Sequence, residues 1–442
     1  MNLSLKKKLF FFGILFCFVW FLIEFMSFGV YRLRYGSISF SGLQNERARI
    51  VIENGGASAQ QNPEQSRERK NWNVLHPYVG FTTEGIDPNT KCPDQGVCDQ
   101  RLRTYEDLPF VKSNEKNLIV AVIGGSFAHG ISHGSSPGFL ENELKKIPRF
   151  RDKEIVVYHL SAGGYKQPQQ LLKINYFLSL GAEFDIIINV DGFNEIALPG
   201  VENLSKGVHP VFPRSWYYYV DASLNPDLLA LYGRRTIYQQ EQSRWASFFS
   251  TPLLYLSPTA NLLWRFNNVR LNHKIKMADV ALVEYHESSE RKLQYVTTGP
   301  DYQFTSWPDF YQDMAAVWAR SSLQLHNLCH SQGIEYYHFL QPNQYVEGSK
   351  PMLEEEAKTA LSVNSKYGKA AKEGYPFLID RGKWLQDKGV FFKDLTMMFL
   401  HTKRKLYIDD CCHLNMPGYS LVIQEIAKSL SEFDPSKGDS PE

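Results

Sequence analysis

At 442 residues, with 43% apolar and 14% aromatic side chains, the chain can bury a sizeable core, and one α/β domain with a long insertion accounts for its length. Its 48 basic residues stand against 47 acidic ones, a formal charge of +1, so a basic nucleic-acid-binding surface is not indicated. The six cysteines make no zinc pattern.

At the N-terminus, Lys6, Lys7 and Lys8 precede an uncharged apolar run from Leu9 to Ile23 that continues past Glu24 to Tyr31. The run reads as a membrane segment, with Glu24 near the far interface. A cleaved signal peptide is the rival reading, but Ser27-Phe28-Gly29 is a poor cleavage site and Arg32 and Arg34 follow at once. A retained anchor over residues 1–35 is therefore expected. The three lysines favour a cytoplasmic N-terminus and an exported remainder, a bias that the two arginines weaken.

Residues 36–115 read as a polar stalk and a lead-in segment. From Glu53 to Asn71 there is almost no large apolar side chain, so this stretch cannot bury enough surface to fold alone. Cys92 and Cys98 bracket a short Pro/Gly loop, as a small disulfide or as two free thiols.

A strand-then-helix alternation begins at Asn117. Leu118–Ile123, Ile155–Leu160, Phe184–Val190 and Ile334–Leu340 are apolar runs suited to parallel strands buried on both faces. Amphipathic stretches follow at Pro137–Ile147, Pro168–Leu180 and Pro308–Gln332, each opening on proline and the last closing at Gly333. This predicts a doubly wound α/β sheet over residues 116–432. The aromatic-rich tract 198–307 interrupts it as a mostly helical insertion or cap, and residues 433–442 form a flexible tail. Leu406–Ile408 reads as a short strand and Pro417–Leu430 as a helix.

The candidate site residues fall in loops after these strands, where open α/β sheets bind ligands. After the first comes Gly124-Gly125-Ser126-Phe127, a tight turn that presents a hydroxyl. After the second comes Ala162-Gly163-Gly164-Tyr165, and after the third Asp191-Gly192-Phe193-Asn194-Glu195. A backbone N–H and a carboxamide are the fixed donors that an oxyanion hole needs. Asp191 and Glu195 are expected to hold their loop by hydrogen bonds. In Asp409-Asp410-Cys411-Cys412-His413-Leu414-Asn415, Asp410 and His413 are three apart, so one loop can hold a carboxylate against the imidazole.

These four blocks, in this order, resemble the SGNH (GDSL-like) hydrolases, whose name spells the Ser, Gly, Asn and His found here as Ser126, Gly164, Asn194 and His413. Gly125 stands where aspartate often sits in that family. The resemblance covers roughly Asn117 to Leu430 apart from the insertion. It implies a flavodoxin-like three-layer fold, Ser126 as nucleophile, His413 as its base, Asp410 as the acid that orients His413, and an oxyanion hole of the Ser126 and Gly164 amides with the Asn194 side chain. Gly163 is the competing assignment in the second block. Two further segments, His76-Pro77-Tyr78-Val79-Gly80-Phe81 and Leu340-Gln341-Pro342-Asn343-Gln344, fit membrane-anchored bacterial chains of this kind. Each is read either as lining the site or as packing.

The rival folds fit less well. An α/β-hydrolase elbow wants Gly-x-Ser-x-Gly, and Ala128 stands in the last place. A phosphate loop needs the Lys-Ser/Thr ending that Gly124–Gly130 lacks. His129 and His133 have metal-like i, i+4 spacing, but Gly130 and Gly134 argue against a helix there; no metal and no cofactor are expected. Cys411 and Cys412 read as packed thiols or as disulfide partners for Cys329. The expected reaction is acyl transfer through an acyl-enzyme. The resemblance implies a serine esterase acting outside the cytoplasm on acylated glycan or lipid esters, with an O-acyltransferase or a vestigial binding protein as the alternatives. The expected partners are an ester or acylated glycan substrate and the membrane, without nucleic acid.

Overall fold

The computed structural model describes residues 5–54, 73–83, 110–133, 136, 138–217, 219–220, 225–287, 295–362 and 364–433. Most of the 53–71 stalk reading, the Cys92–Cys98 loop and the tail beyond 433 lie outside these residues. The chain divides into two compact units, residues 1–70 with 221–293, and residues 71–220 with 294–442.

The second unit carries the sheet. A two-stranded antiparallel hairpin, β1 (Asn73–His76) and β2 (Gly80–Thr83), precedes it. The sheet itself contains β3 (Asn117–Gly124), β4 (Glu154–His159), β5 (Ile186–Asp191), β6 (Glu335–Leu340) and β7 (Phe391–Asp394), in the order β4-β3-β5-β6-β7. Every pairing is parallel. β3 and β5 are buried along their whole length, which is why they read as continuous or nearly continuous apolar runs. The chain goes from β3 outward to β4 and returns across it to β5, so the topological switch point lies at the carboxyl ends of β3 and β5.

Helices wrap this sheet. Ser126–His133, Phe139–Lys145 and Met416–Glu432 pack on one another, as do Gln169–Ser179, Phe193–Leu198, Trp307–Ser331 and Lys366–Asp387. Their ends carry local signals. Ser306 accepts the N–H of Asp309, with a proline next in the first turn, and Asn415 accepts the N–H of Gly418. Gly333 leaves the long helix in the left-handed region, at φ +72°.

Three elements depart from the sequence reading. β7 and the helix before it were not expected. The 406–408 segment is no sheet strand: Tyr407 makes one antiparallel bridge, to Leu414.

The first unit is helical: Leu5–Tyr35, Phe40–Glu53, Pro226–Phe249 and Pro258–Glu287. Its first helix is long and apolar enough to cross a membrane. Within this unit the Glu24 carboxylate accepts from Ser257 Oγ at 2.6 Å and Thr259 N at 3.0 Å, closing the start of the 258–287 helix. Arg47 is fully buried; it donates to the Phe249 carbonyl at 2.9 Å and lies 4.3 Å over the Trp264 ring. Two expectations are corrected. Residues 40–53 are a packed helix and no part of a stalk. Residues 225–287 group with the N-terminal helices, while 198–220 and 295–307 stay with the sheet; the apolar faces of the long helices find their partners in Tyr31, Leu43, Ile50 and Val51.

Candidate active site

A serine hydroxyl becomes a nucleophile only beside a base, and the carboxyl edge of the sheet supplies one. β3 ends at Gly124, and a helix starts at Ser126, so the hydroxyl sits on the first residue of a helix, at the positive end of its dipole. Ser126 Oγ lies 2.8 Å from His413 Nε2. On the other side of the ring, His413 Nδ1 bonds to a carboxylate, and that carboxylate is Asp409. The three groups form one Ser–His–Asp chain of hydrogen bonds.

The assignment of Asp410 is therefore corrected. The turn is closed at its base, where Ile408 N donates to His413 O at 3.0 Å and Tyr407 bridges Leu414. Residue 409 then lies against residue 413. Asp409 Oδ1 accepts the N–H groups of Cys411, Cys412 and His413 at 3.0, 3.1 and 3.1 Å, which leaves Oδ2 for the imidazole. Burial works to raise the Asp409 carboxyl, but the His413 hydrogen bond and charge and these N–H donors outweigh it and hold it below its ordinary value. Asp410 makes no hydrogen bond or ion pair among the described residues.

Asn194 is the second residue of the helix after β5, and its Nδ2 donates to the Tyr165 carbonyl at 2.7 Å. A second N–H on the same nitrogen is left for a ligand. Gly125 is explained by this carboxamide: a Cβ there would sit 2.1 Å from Asn194 Nδ2. An aspartate before Ser126 is excluded here by the group that the third block brings in. Gly164 adopts φ +80°, and a Cβ would meet Arg214 Cδ at 2.5 Å, whereas Gly163 is exposed with open space around it. The need for glycine thus falls on Gly164.

Five side chains hold these loops, and the sequence named their segments without their tasks. The Tyr165 hydroxyl donates to the Phe81 carbonyl at 2.6 Å, and Gln169 Nε2 donates to Val79 O at 2.8 Å, so the His76–Phe81 segment buttresses the second block. Glu195 accepts from Gly192 N at 2.8 Å, Gln167 N at 3.1 Å and Gln170 Nε2 at 3.2 Å, tying the second block to the third. Burial and then the Asp191 charge push its carboxyl up to about 8. Asn343 Nδ2 and Gln344 Nε2 each donate at 3.0 Å, to the carbonyls of Cys411 and Asp409, so the segment after β6 grips the His413 turn.

Before that turn, Glu356 accepts the N–H groups of Leu406 and Tyr407, both at 2.8 Å, and pairs with Lys350 at 2.5 Å, both side chains fully buried. Lys350→Met leaves that carboxylate without its counter-charge. It is expected to lower stability by about 3–5 kcal/mol, read as a lower urea midpoint with an unchanged slope.

The Ser126–His133 helix overturns the reading that Gly130 would prevent one. Gly130 is needed because the Tyr419 ring lies 2.0 Å from where its Cβ would be. His129 and His133 do share that helix. Among the described residues, the group of three donors close enough for a metal is Cys411, Cys412 and His413. Both nitrogens of His413 are already engaged, by Ser126 and Asp409, which leaves two thiols. The two sulfurs share a hydrogen bond at 3.3 Å and form no disulfide, and Cys329 is a buried free thiol.

A second Ser–His–Asp chain runs through the core. Ser322 Oγ lies 2.7 Å from His338 Nδ1, and His338 Nε2 lies 2.8 Å from Asp191 Oδ1, with Trp318 Nε1 donating to the same oxygen at 2.7 Å. All three residues are at most 1% exposed, so no substrate reaches them. Asp191 and Glu195 thus hold the β5 loop by hydrogen bonds, and access distinguishes the Ser126 chain from this one. No protein-family model and no curated protein sequence matches the chain.

Proposed function

We propose that the chain is a serine esterase of the SGNH type that cleaves acyl esters of an extracytoplasmic glycan or lipid. The single observation that carries the reading is the solvent-reachable chain Ser126–His413–Asp409 at the switch point of a parallel sheet. His413 Nε2 takes the Ser126 proton as Oγ attacks the ester carbonyl, and Asp409 holds the ring in the tautomer that leaves Nε2 free to accept it. The negative charge that develops on the carbonyl oxygen is met by the N–H groups of Ser126 and Gly164 and by the free N–H of Asn194. The leaving alcohol takes the proton from His413, and water then releases the acid from Ser126 by the same steps in reverse.

Retention of the N-terminal helix as an anchor is supported by Glu24 and Tyr31. Glu24 closes a helix start and Tyr31 is 3% exposed, contacts that cleavage would remove. The lysines before the helix support an exported domain, a bias that Arg32 and Arg34 weaken.

The test is mass spectrometry of the Ser126 peptide after exposure to a fluorophosphonate and to aryl acetates. Both should modify Ser126, and a wild-type protein that takes up neither would sink the esterase reading. Asn194→Ala removes one oxyanion donor and is expected to lower kcat by about 10² to 10³-fold with labelling retained, measured on the best aryl ester.

A further inference from the structure

One cation beside this site has no part in the acyl-transfer chemistry. Arg214 lies over Gly164, its Cδ occupying the space of the missing side chain. Its Nε donates to Glu202 at 2.7 Å, and its side chain is 44% exposed. Neither terminal guanidinium nitrogen has a hydrogen-bonding partner among the described residues. Glu202 is shared, since the Tyr367 hydroxyl donates to its other oxygen at 2.6 Å and the Lys166 ammonium acts on it as well. The electrostatic neighbours of Arg214 are Glu202, Tyr367 and Cys411, two residues from His413. The side chain thus lies against the Gly164 loop, with the Cys411 thiol among the groups whose charge acts on it.

The segment that carries it is built to do so. Lys166 Nζ and Asn203 Nδ2 both donate to the Phe212 carbonyl, the latter at 2.8 Å. Pro213 fills the place of a side chain at Gly80, and Trp216 Nε1 donates to Val296 O at 2.6 Å. Between them Ser215 holds φ +57°, the one non-glycine residue in the left-handed region among those described. Such backbone strain persists only where the surroundings enforce it. A plain surface ion pair with Glu202 would need neither a glycine under the arginine nor a strained residue after it.

We infer that Arg214 is a specificity-determining residue: its two unused guanidinium nitrogens take an anionic group, a carboxylate or a phosphate, that the substrate carries next to its scissile ester. The inference rests on the esterase reading for the identity of that ester. A planar fork with two parallel donors fits either anion, and the paired Nε fixes the direction in which the fork points. The substrate class is thus an acylated acidic glycan or an acylated sugar phosphate in preference to a neutral acylated sugar.

The test compares mono-O-acetylated methyl glucuronide, mono-O-acetylated methyl glucoside and a mono-O-acetylated sugar phosphate as substrates of the full-length wild-type protein and of Arg214→Gln and Arg214→Lys. Wild type should prefer one or both anionic esters over the glucoside in kcat/KM, and the preference should shrink as salt rises. Arg214→Gln should reduce the preference ratio by about 10 to 100-fold, with Arg214→Lys in between. Which anion loses more identifies its source. Equal kcat/KM for the three esters in wild type, or a ratio unmoved in Arg214→Gln, overturns the inference without reference to any variant's folding in the first case. Binding of the same sugars to Ser126→Ala and to Ser126→Ala with Arg214→Gln, followed by calorimetry, separates the two readings. Arg214-dependent binding of the acidic sugar, with neither hydrolysis nor fluorophosphonate labelling of Ser126 in wild type, leaves the anion site standing and ends the esterase reading. Binding that ignores Arg214 ends the anion site, whatever the turnover.

Discussion

Ser126→Ala is expected to lower ester turnover by about 10⁶-fold and to abolish fluorophosphonate labelling, with the thermal transition of the protein little changed. The size follows from how the site is assembled. His413 and Asp409 act only through the Ser126 proton, so removing Oγ idles the whole chain and leaves the oxyanion donors and substrate binding, which give a residue of catalysis over water. Stability should be spared because Ser126 is only half-buried and Oγ has its described bond to His413 alone. His413→Ala should match it, and Ser126→Ala with His413→Ala should lose little more than either single change. Additive losses would show that the two residues act independently and would break the proposed nucleophile–base pair. A Ser322→Ala control, in the buried look-alike chain, should leave labelling of Ser126 in place.

The strands that position the site were legible because a strand buried on both faces has to be apolar along its whole length. Leu118–Ile123 has this property and Phe184–Val190 nearly so, interrupted by Asp185 and Asn189, and with them came the loops that hold Ser126 and Asn194. β7 was hidden by its length of four residues and by Lys393 and Asp394, which its edge position tolerates because one side has no neighbouring strand. The insertion was seen as helical but not as a partner of the N-terminal helices. Its contacts run through single residues far apart in sequence, such as Arg47 with Phe249 and Glu24 with Ser257, which leave no periodic trace. Gly130 misled for a related reason: its demand is set by Tyr419, nearly three hundred residues away. Arg214 carried no motif, and only the glycine beneath it, Gly164, hinted that something approaches that loop closely.

The acid of the chain was missed by one residue, and this separates two outcomes cleanly. Asp409→Asn should reduce kcat by about 10⁴-fold, whereas Asp410→Asn should change it by less than a few-fold. An asparagine at 409 keeps one oxygen to accept the N–H groups of Cys411, Cys412 and His413, so the turn survives. Its amide nitrogen then faces Nδ1, can only donate, and forces the ring into the tautomer that carries its proton on Nε2. In that form His413 cannot take the proton from Ser126. Stability gives a second reading. Because the folded protein holds the Asp409 carboxyl below its ordinary value, the ionised group adds stability that is fully present above the usual carboxylate range. That stability is lost as pH falls through the depressed value, and Asp409→Asn should flatten this acid limb. If Asp410→Asn proves the inactive one, the turn in solution places residue 410 rather than 409 against the imidazole, and the pairing of Ile408 with His413 that closes it must be absent.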